Sequence, residues 1–88
     1  MSAVTVTVHD ERDGWVADVT VRSRTTTSHR VRISRADHAE YGDGDVADLV
    51  RRSFAFLLAR ESNDAILREF ALADIERYFP EYGAEMRR

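Results

Sequence analysis

The sequence predicts an α+β domain: a three-stranded antiparallel β-meander, then a main helix and shorter C-terminal helices packed on one face of the sheet. Three observations lead to this prediction. Apolar and polar residues alternate with period two up to about residue 34, which is typical of half-buried strands. Two polar, turn-forming stretches interrupt this alternation. From residue 35 onwards apolar residues recur at every third or fourth position, which is typical of amphipathic helices.

Three segments carry the strand pattern. The first, Val4–Val8, alternates valine with threonine, and Asp13-Gly14 then favours a hairpin turn. The second segment places four apolar residues in one register, namely Trp15, Ala17, Val19 and Val21. Its other register holds Val16, Asp18, Thr20 and Arg22. The third segment, residues 29–34, points Val31 and Ile33 inward and Arg30 and Arg32 outward. Short connections between the segments favour an antiparallel meander with one face in water.

Two helices are expected next. Ser34 or Asp37 can cap a short helix that runs through Tyr41 and ends at the glycines that follow. Asp45 is the expected N-cap of the main helix, from Val46 to about Arg60. The main helix has a wide apolar face made of Val46, Leu49, Val50, Ser53, Phe54, Phe56, Leu57 and Leu58.

The C-terminal third is expected to be helical and then loose. A short helix from about Ala65 to Phe70 would present Ile66, Leu67 and Phe70, and a second from Ala73 to Phe79 would present Ile75, Tyr78 and Phe79. These can also form one bent helix, since residues 71–73 contain no helix breaker. Pro80 ends helical structure. We therefore expect one domain over residues 1–88, with strands at about 3–34, helices at about 35–80 and a loosely held tail at 81–88.

Composition limits the classes of protein that fit. The chain has 88 residues, enough for one core but not for two, and its hydrophobic content of 43% with 33% charged residues is typical of folded proteins. It has no cysteine, which excludes disulfides and cysteine-based metal sites. Nothing near Met1 resembles a signal peptide, and no apolar run approaches membrane-spanning length. We expect a cytoplasmic protein with no membrane partner.

No catalytic, cofactor or metal signature is found. The histidines at positions 9, 29 and 38 are not spaced as helical metal ligands, and strand parity places His9 on the outer face and His29 on the inner one. No serine lies in a nucleophile elbow. The four glycines form no phosphate-binding loop, and Gly42-Asp43-Gly44-Asp45 is too acidic to hold a phosphate. The sequence predicts no enzyme and no cofactor.

Charge is segregated, although the net charge is only −3. Residues 20–35 hold five arginines and no acid, whereas residues 36–50 hold five acids and no base. Four of these arginines are candidate contacts for nucleic acid or a partner: Arg22, Arg24, Arg30 and Arg32. Exposed arginines on a sheet can follow a phosphate backbone, but the outer face lacks the aromatic residues that stack on bases. Ion pairing of the arginines with the acidic segment is the favoured explanation.

The leading hypothesis is a non-catalytic protein-interaction module, including the case of a homodimer. Its contact surface would be Val16 with the threonines of the outer sheet face, or a free strand edge, because unprotected edges invite pairing. The alternative is nucleic-acid binding through the arginine-bearing outer face. The aromatic segment Arg77–Tyr82 is more simply explained as fixing a terminal helix to the core than as a docking patch.

The C-terminal half resembles a family of short, uncharacterised bacterial proteins. The resemblance rests on three stretches: Ser53–Glu61 (SFAFLLARE), Ile66–Phe70 (ILREF) and Ile75–Tyr82 (IERYFPEY). It covers about the last forty residues and implies no activity and no catalytic residue. Where the family carries small polar caps, this chain has Ala71 and Ala73. In layout alone, three strands followed by a helix are also similar to small antitoxin domains.

Overall fold

Residues 3–88 are described by a computed structural model. Met1 and Ser2, which the predicted domain included, lie outside the described residues. The strands are β1 (Ala3–Glu11), β2 (Gly14–Arg22), β3 (Thr26–Ser34) and β4 (Glu69–Ala71). The α-helices are α1 (Arg35–Tyr41), α2 (Val46–Leu58), α3 (Asp74–Tyr78) and α4 (Tyr82–Met86), and Asn63–Ala65 forms one turn of 3₁₀-helix.

The predicted meander is confirmed and is extended by a fourth strand. The strand order is β1-β2-β3-β4; the first three strands are antiparallel, and β4 pairs in parallel with β3. Arg12 and Asp13 connect the first hairpin, so Glu11 lies opposite Gly14. A Cβ atom at Gly14 would overlap the carbonyl oxygen of Ile33, and the close approach of β2 and β3 at this point therefore requires glycine.

The two faces of the sheet are assigned as the alternation predicts. On the inner face Ala17, Val19, Val21, Val31 and Ile33 are buried against the helices. On the outer face the alternate residues of β3 (Ser28, Arg30 and Arg32) are exposed. One face of the sheet thus carries the helical layer and the other faces water, an arrangement common in antiparallel sheets.

The first two helices are capped as predicted. Ser34 and Asp37 form a capping box at α1, in which Ser34 Oγ accepts from the Asp37 N–H at 3.0 Å and Asp37 Oδ2 accepts from the Ser34 N–H at 3.1 Å. Asp45 caps α2 by accepting from the Asp48 N–H at 3.2 Å. The helix ends at Leu58, two residues before the predicted end. The predicted apolar face of α2 is buried throughout except at Leu58, which is partly buried.

The helix predicted over residues 65–70 is wrong. Beyond the 3₁₀ turn the chain extends beside β3, where the Arg30 N–H donates to the Arg68 carbonyl oxygen at 2.7 Å and the Leu72 N–H to the Arg32 carbonyl oxygen at 2.9 Å. The bent helix is excluded for the same reason. A separate helix, α3, does follow, and its start is held by Asp74, whose carboxylate accepts from the Ala71 N–H at 3.1 Å.

The tail, expected to be loose, instead forms α4 and packs on α2. Tyr82 is fully buried and Met86 nearly so. Ser53 on α2 donates to the Leu49 carbonyl oxygen at 2.8 Å, and its single proton is used there, so Tyr82 donates its hydroxyl to Ser53 at 2.6 Å. Burial of a tyrosine with a satisfied hydroxyl fixes α4 to the core. No helix formed by residues 3–88 is both long and apolar enough to cross a membrane.

Candidate interaction surfaces

The outer edge of β1 is the longest unpaired backbone surface in residues 3–88. β1 has nine residues, pairs with β2 on one side and carries no further strand on the other. Every second residue of such a strand directs its N–H and C=O outward. From Ala3 to Val8 the strand has no charged residue and no proline, and its register with β2 is continuous, without a bulge. The usual devices that protect an edge are thus missing from this stretch.

The core remains partly open along this same edge. Val4, Val6 and Val8 face inward and are only partly buried. Their cross-strand neighbours on β2, which are Val21, Val19 and Ala17, are all at most 1% exposed. Helix α2 lies close to β1, so the helical layer reaches the edge strand without covering it fully. Apolar surface and unpaired backbone therefore occur together at β1.

The opposite edge of the sheet is protected. β4 has three residues, and the segment that leads into it covers part of β3. A buried polar network fixes that segment: Asn63 Nδ2 donates to Thr27 Oγ1 at 3.1 Å, Thr27 Oγ1 bonds His29 Nε2 at 2.8 Å, and His29 Nδ1 bonds the Leu67 carbonyl oxygen at 2.8 Å. The short strand and the covering segment leave little edge for another chain.

The directions of these hydrogen bonds fix the tautomer of His29. A carbonyl oxygen can only accept, so Nδ1 of His29 carries the proton that is donated to Leu67. Neutral imidazole then leaves Nε2 as an acceptor, and Thr27 donates to it while accepting from Asn63. The sequence predicts His29 on the inner face but does not predict this network. The third strand is predicted to begin at His29; extending its register back to Thr27 places Thr27 inward as well, and the two polar side chains there indicate a buried partner.

Arg30 and Arg32 on the outer face are paired with acids. Arg30 Nε donates to Asp18 Oδ1 at 3.1 Å, and His9 Nε2 lies 3.1 Å from Asp18 Oδ2. The hydrogen bond from Arg30 is the main cause that lowers the pKa of the Asp18 carboxyl. Arg32 Nη1 lies 3.4 Å from Glu69 Oε2. The expected pairing with the acidic segment 36–50 is therefore wrong for these two arginines, whose partners come from β2 and β4.

The four candidate arginines do not form one cluster. Arg22 lies opposite Thr26, and Arg30 follows four residues further along β3, which corresponds to about 13 Å along the strand. Arg24 lies in the turn between β2 and β3, and neither Arg22 nor Arg24 forms an ion pair with a residue of the described chain. Nucleic-acid binding through these side chains stays a prediction.

The three histidines of the chain have different surroundings. His38 Nε2 lies 2.7 Å from the Gly44 carbonyl oxygen, and its ring packs edge-on against Trp15. The part of the chain that is described contains no group of three or more metal-ligating side chains that could hold an ion. His9, His29 and His38 lie in three separate environments, so they do not form a common site.

A shallow apolar pocket of about 210 Å³ lies between the end of α2, the segment before β4, and α3. Its rim carries Leu67 and Tyr78, which are 52% and 67% exposed, together with the acids Glu61 and Asp74. The sequence does not predict this pocket, because the predicted helices direct both Leu67 and Tyr78 into the core. In the segment Arg77–Tyr82, the buried Tyr82 fixes the terminal helix to the core, which is the explanation that the sequence favours, whereas Tyr78 is exposed to solvent.

Comparison with protein-family models, curated proteins and solved structures found no match to this chain. The resemblance of the C-terminal half to short bacterial proteins therefore stays a prediction.

Proposed function

We propose that this chain is a non-catalytic protein-interaction module that receives an extended partner strand along the free edge of β1. The observation that carries the proposal is the coincidence of unpaired backbone and partly open core at this edge. A strand added beside β1 gains main-chain hydrogen bonds, which supply affinity. It also covers Val4, Val6 and Val8, whose burial adds a hydrophobic contribution.

The edge of β1 is a better candidate for a binding surface than the outer sheet face or the apolar pocket. The outer sheet face is polar except at Ala3, Val16 and Ala71, and two of its arginines are paired with Asp18 and Glu69. The apolar pocket beside Leu67 is small compared with ligand pockets of roughly 300–1,000 Å³. The edge of β1, in contrast, extends over nine residues. From Ala3 to Val8 its inner side is apolar and its outer side carries only the short side chains of Ala3, Thr5 and Thr7.

The proposal is tested by adding charge to the edge strand. Thr5→Lys/Thr7→Lys adds two lysines to exposed positions of β1, and lysine is a residue with which natural proteins block edges. The matched control, Thr26→Lys/Ser28→Lys, adds the same charge to exposed positions on β3, two strands or about 10 Å away. Circular dichroism verifies that both variants are folded.

The measurement is nuclease-treated affinity capture, with the bound protein, including untagged copies of this chain, quantified by mass spectrometry. We expect the wild type and the β3 control to retain the same protein, and the β1 variant to retain at least tenfold less. Equal retention by the β1 variant would overturn the proposal. Capture that disappears on nuclease treatment would also overturn it and would favour nucleic-acid binding through Arg22, Arg24, Arg30 and Arg32.

A further inference from the structure

Five residues of the free edge read the same in both directions. Val4-Thr5-Val6-Thr7-Val8 is a palindrome centred on Val6, and all five residues lie in β1. Two copies of one strand can pair antiparallel about a two-fold axis, since each then presents the same surface to the other. In the register centred on Val6, position i of one copy faces position 12 − i of the other.

This register pairs like with like on both faces of the sheet. Val4 faces Val8 of the second copy and Val6 faces Val6, all on the inner side. Thr5 faces Thr7 of the second copy on the outer side. β-Branched residues pack well as cross-strand neighbours, and no like charges oppose each other within this stretch.

Neighbouring registers match less well. A shift by an odd number of residues places valine opposite threonine and turns the helical layers of the two copies to opposite faces. A shift that centres the pairing on Thr7 places Asp10 opposite Val4, which puts a carboxylate beside the partly open core. A shift that centres it on Thr5 leaves Val8 without a valine partner. The register centred on Val6 alone pairs all three valines.

We infer that the strand received by β1 is β1 of a second copy, paired antiparallel about Val6, so that two four-stranded sheets form one continuous sheet of eight strands. This inference rests on the proposed function and adds the identity of the partner and the register. A second copy of this chain is a suitable partner strand because its valines can cover the partly buried Val4, Val6 and Val8. Each copy supplies three valines for the other's edge, and both helical layers lie on the same side of the joined sheet.

Cysteine cross-linking tests the register directly, because the chain has no cysteine of its own. Directly opposed residues of antiparallel strands have Cα atoms about 4.5–5.5 Å apart, within the range that a disulfide spans. Three single variants are oxidised under the same mild conditions: Thr5→Cys, Val6→Cys and Thr7→Cys. Non-reducing electrophoresis then measures the disulfide-linked dimer.

Val6→Cys is expected to form at least tenfold more linked dimer than Thr5→Cys or Thr7→Cys alone. In an equimolar mixture of Thr5→Cys and Thr7→Cys about half of the dimers are mixed, so the mixture should form about half as much linked dimer as Val6→Cys does. Cross-linking of Thr5→Cys to itself or of Thr7→Cys to itself at the level of Val6→Cys would overturn the register.

Light scattering after size-exclusion chromatography separates this inference from the proposed function. We expect the wild type, whose chain mass is 10.1 kDa, to elute with the mass of two chains, and Thr5→Lys/Thr7→Lys with the mass of one. A wild type that stays monomeric at millimolar concentration would overturn the inference. If that monomer still captured another protein in an edge-dependent way, the proposed function would stand without it.

Discussion

At the scale of single residues, the hydroxyl of Thr27 links two buried side chains through hydrogen bonds. It accepts a hydrogen bond from Asn63 and donates one to His29, so a single atom joins β3 to the 3₁₀ turn and, through His29, to the segment before β4. All three side chains are buried, at 3–4% exposure. A buried polar group that loses its partner keeps the cost of its desolvation, which makes such relays sensitive to single substitutions.

Thr27→Val keeps the shape of the side chain but removes the hydroxyl. We expect the free energy of unfolding to fall by about 1–3 kcal/mol. Asn63 loses one hydrogen-bond acceptor, and the Nε2 atom of His29 loses its only hydrogen-bond donor. Urea denaturation measures this. Thr26→Val, the same substitution one residue earlier on an exposed side chain, should change the free energy by less than about 0.5 kcal/mol. Equal effects of the two substitutions would argue against the relay.

At the scale of elements, the segment from Ile66 to Leu72 shows what a local pattern can and cannot predict. Its composition suits a helix, yet it runs extended because β3 offers an unpaired backbone edge and Phe70 and Leu72 fit into the core with period two. In a run of seven residues, helical and strand periodicities cannot be separated. β1, β2, β3, α1 and α2 are longer or well capped, and their patterns predict the type and order of these elements. Their bounds are predicted less well, since β1 runs on from Val8 to Glu11 and β3 begins at Thr26 instead of His29.

Substitution of one buried and one exposed residue of that segment distinguishes the extended conformation from a helix. Phe70→Ala should lower the free energy of unfolding by about 3–5 kcal/mol, since Phe70 is 5% exposed and its ring packs against Phe54 at 6.2 Å between centroids. Leu67→Ala should cost less than about 1 kcal/mol, because Leu67 lies half in solvent. Similar losses for both substitutions, measured by urea denaturation, would support the helix predicted from the sequence.

At the scale of the whole molecule, two buried tyrosines connect the helices to one another. Tyr41 on α1 donates its hydroxyl to Glu76 Oε1 on α3 at 2.7 Å, and Tyr82 on α4 donates to Ser53 on α2. Their rings also pack together, with centroids 5.0 Å apart. This arrangement explains why the sequence predicted a loose tail: eight residues after a proline carry no visible periodicity, and only the assembled helices create the site that Tyr82 fills.

Because of these tyrosines, the free energy of unfolding should fall as the pH rises in the alkaline range. Burial raises the pKa of both hydroxyls, and the hydrogen bond to Glu76 raises that of Tyr41 further. In the unfolded chain tyrosine ionises near pH 10, so the unfolded state holds fewer protons than the folded state once the pH passes that value. Their stabilisation is therefore complete below about pH 10 and is lost as the pH rises above it.

The free energy of unfolding should fall above pH 10 by up to about 1.4 kcal/mol per pH unit for each buried tyrosine. Urea denaturation at intervals from pH 9 to 11.5 gives this slope. Tyr82→Phe removes one titrating group and should reduce the slope by about half, whatever it does to stability at neutral pH. Tyr78→Phe keeps both buried hydroxyls and should keep the slope of the wild type. A slope that Tyr82→Phe leaves unchanged would mean that Tyr82 reaches solvent, and that α4 is not held against α2 in the way its contacts with Ser53 require.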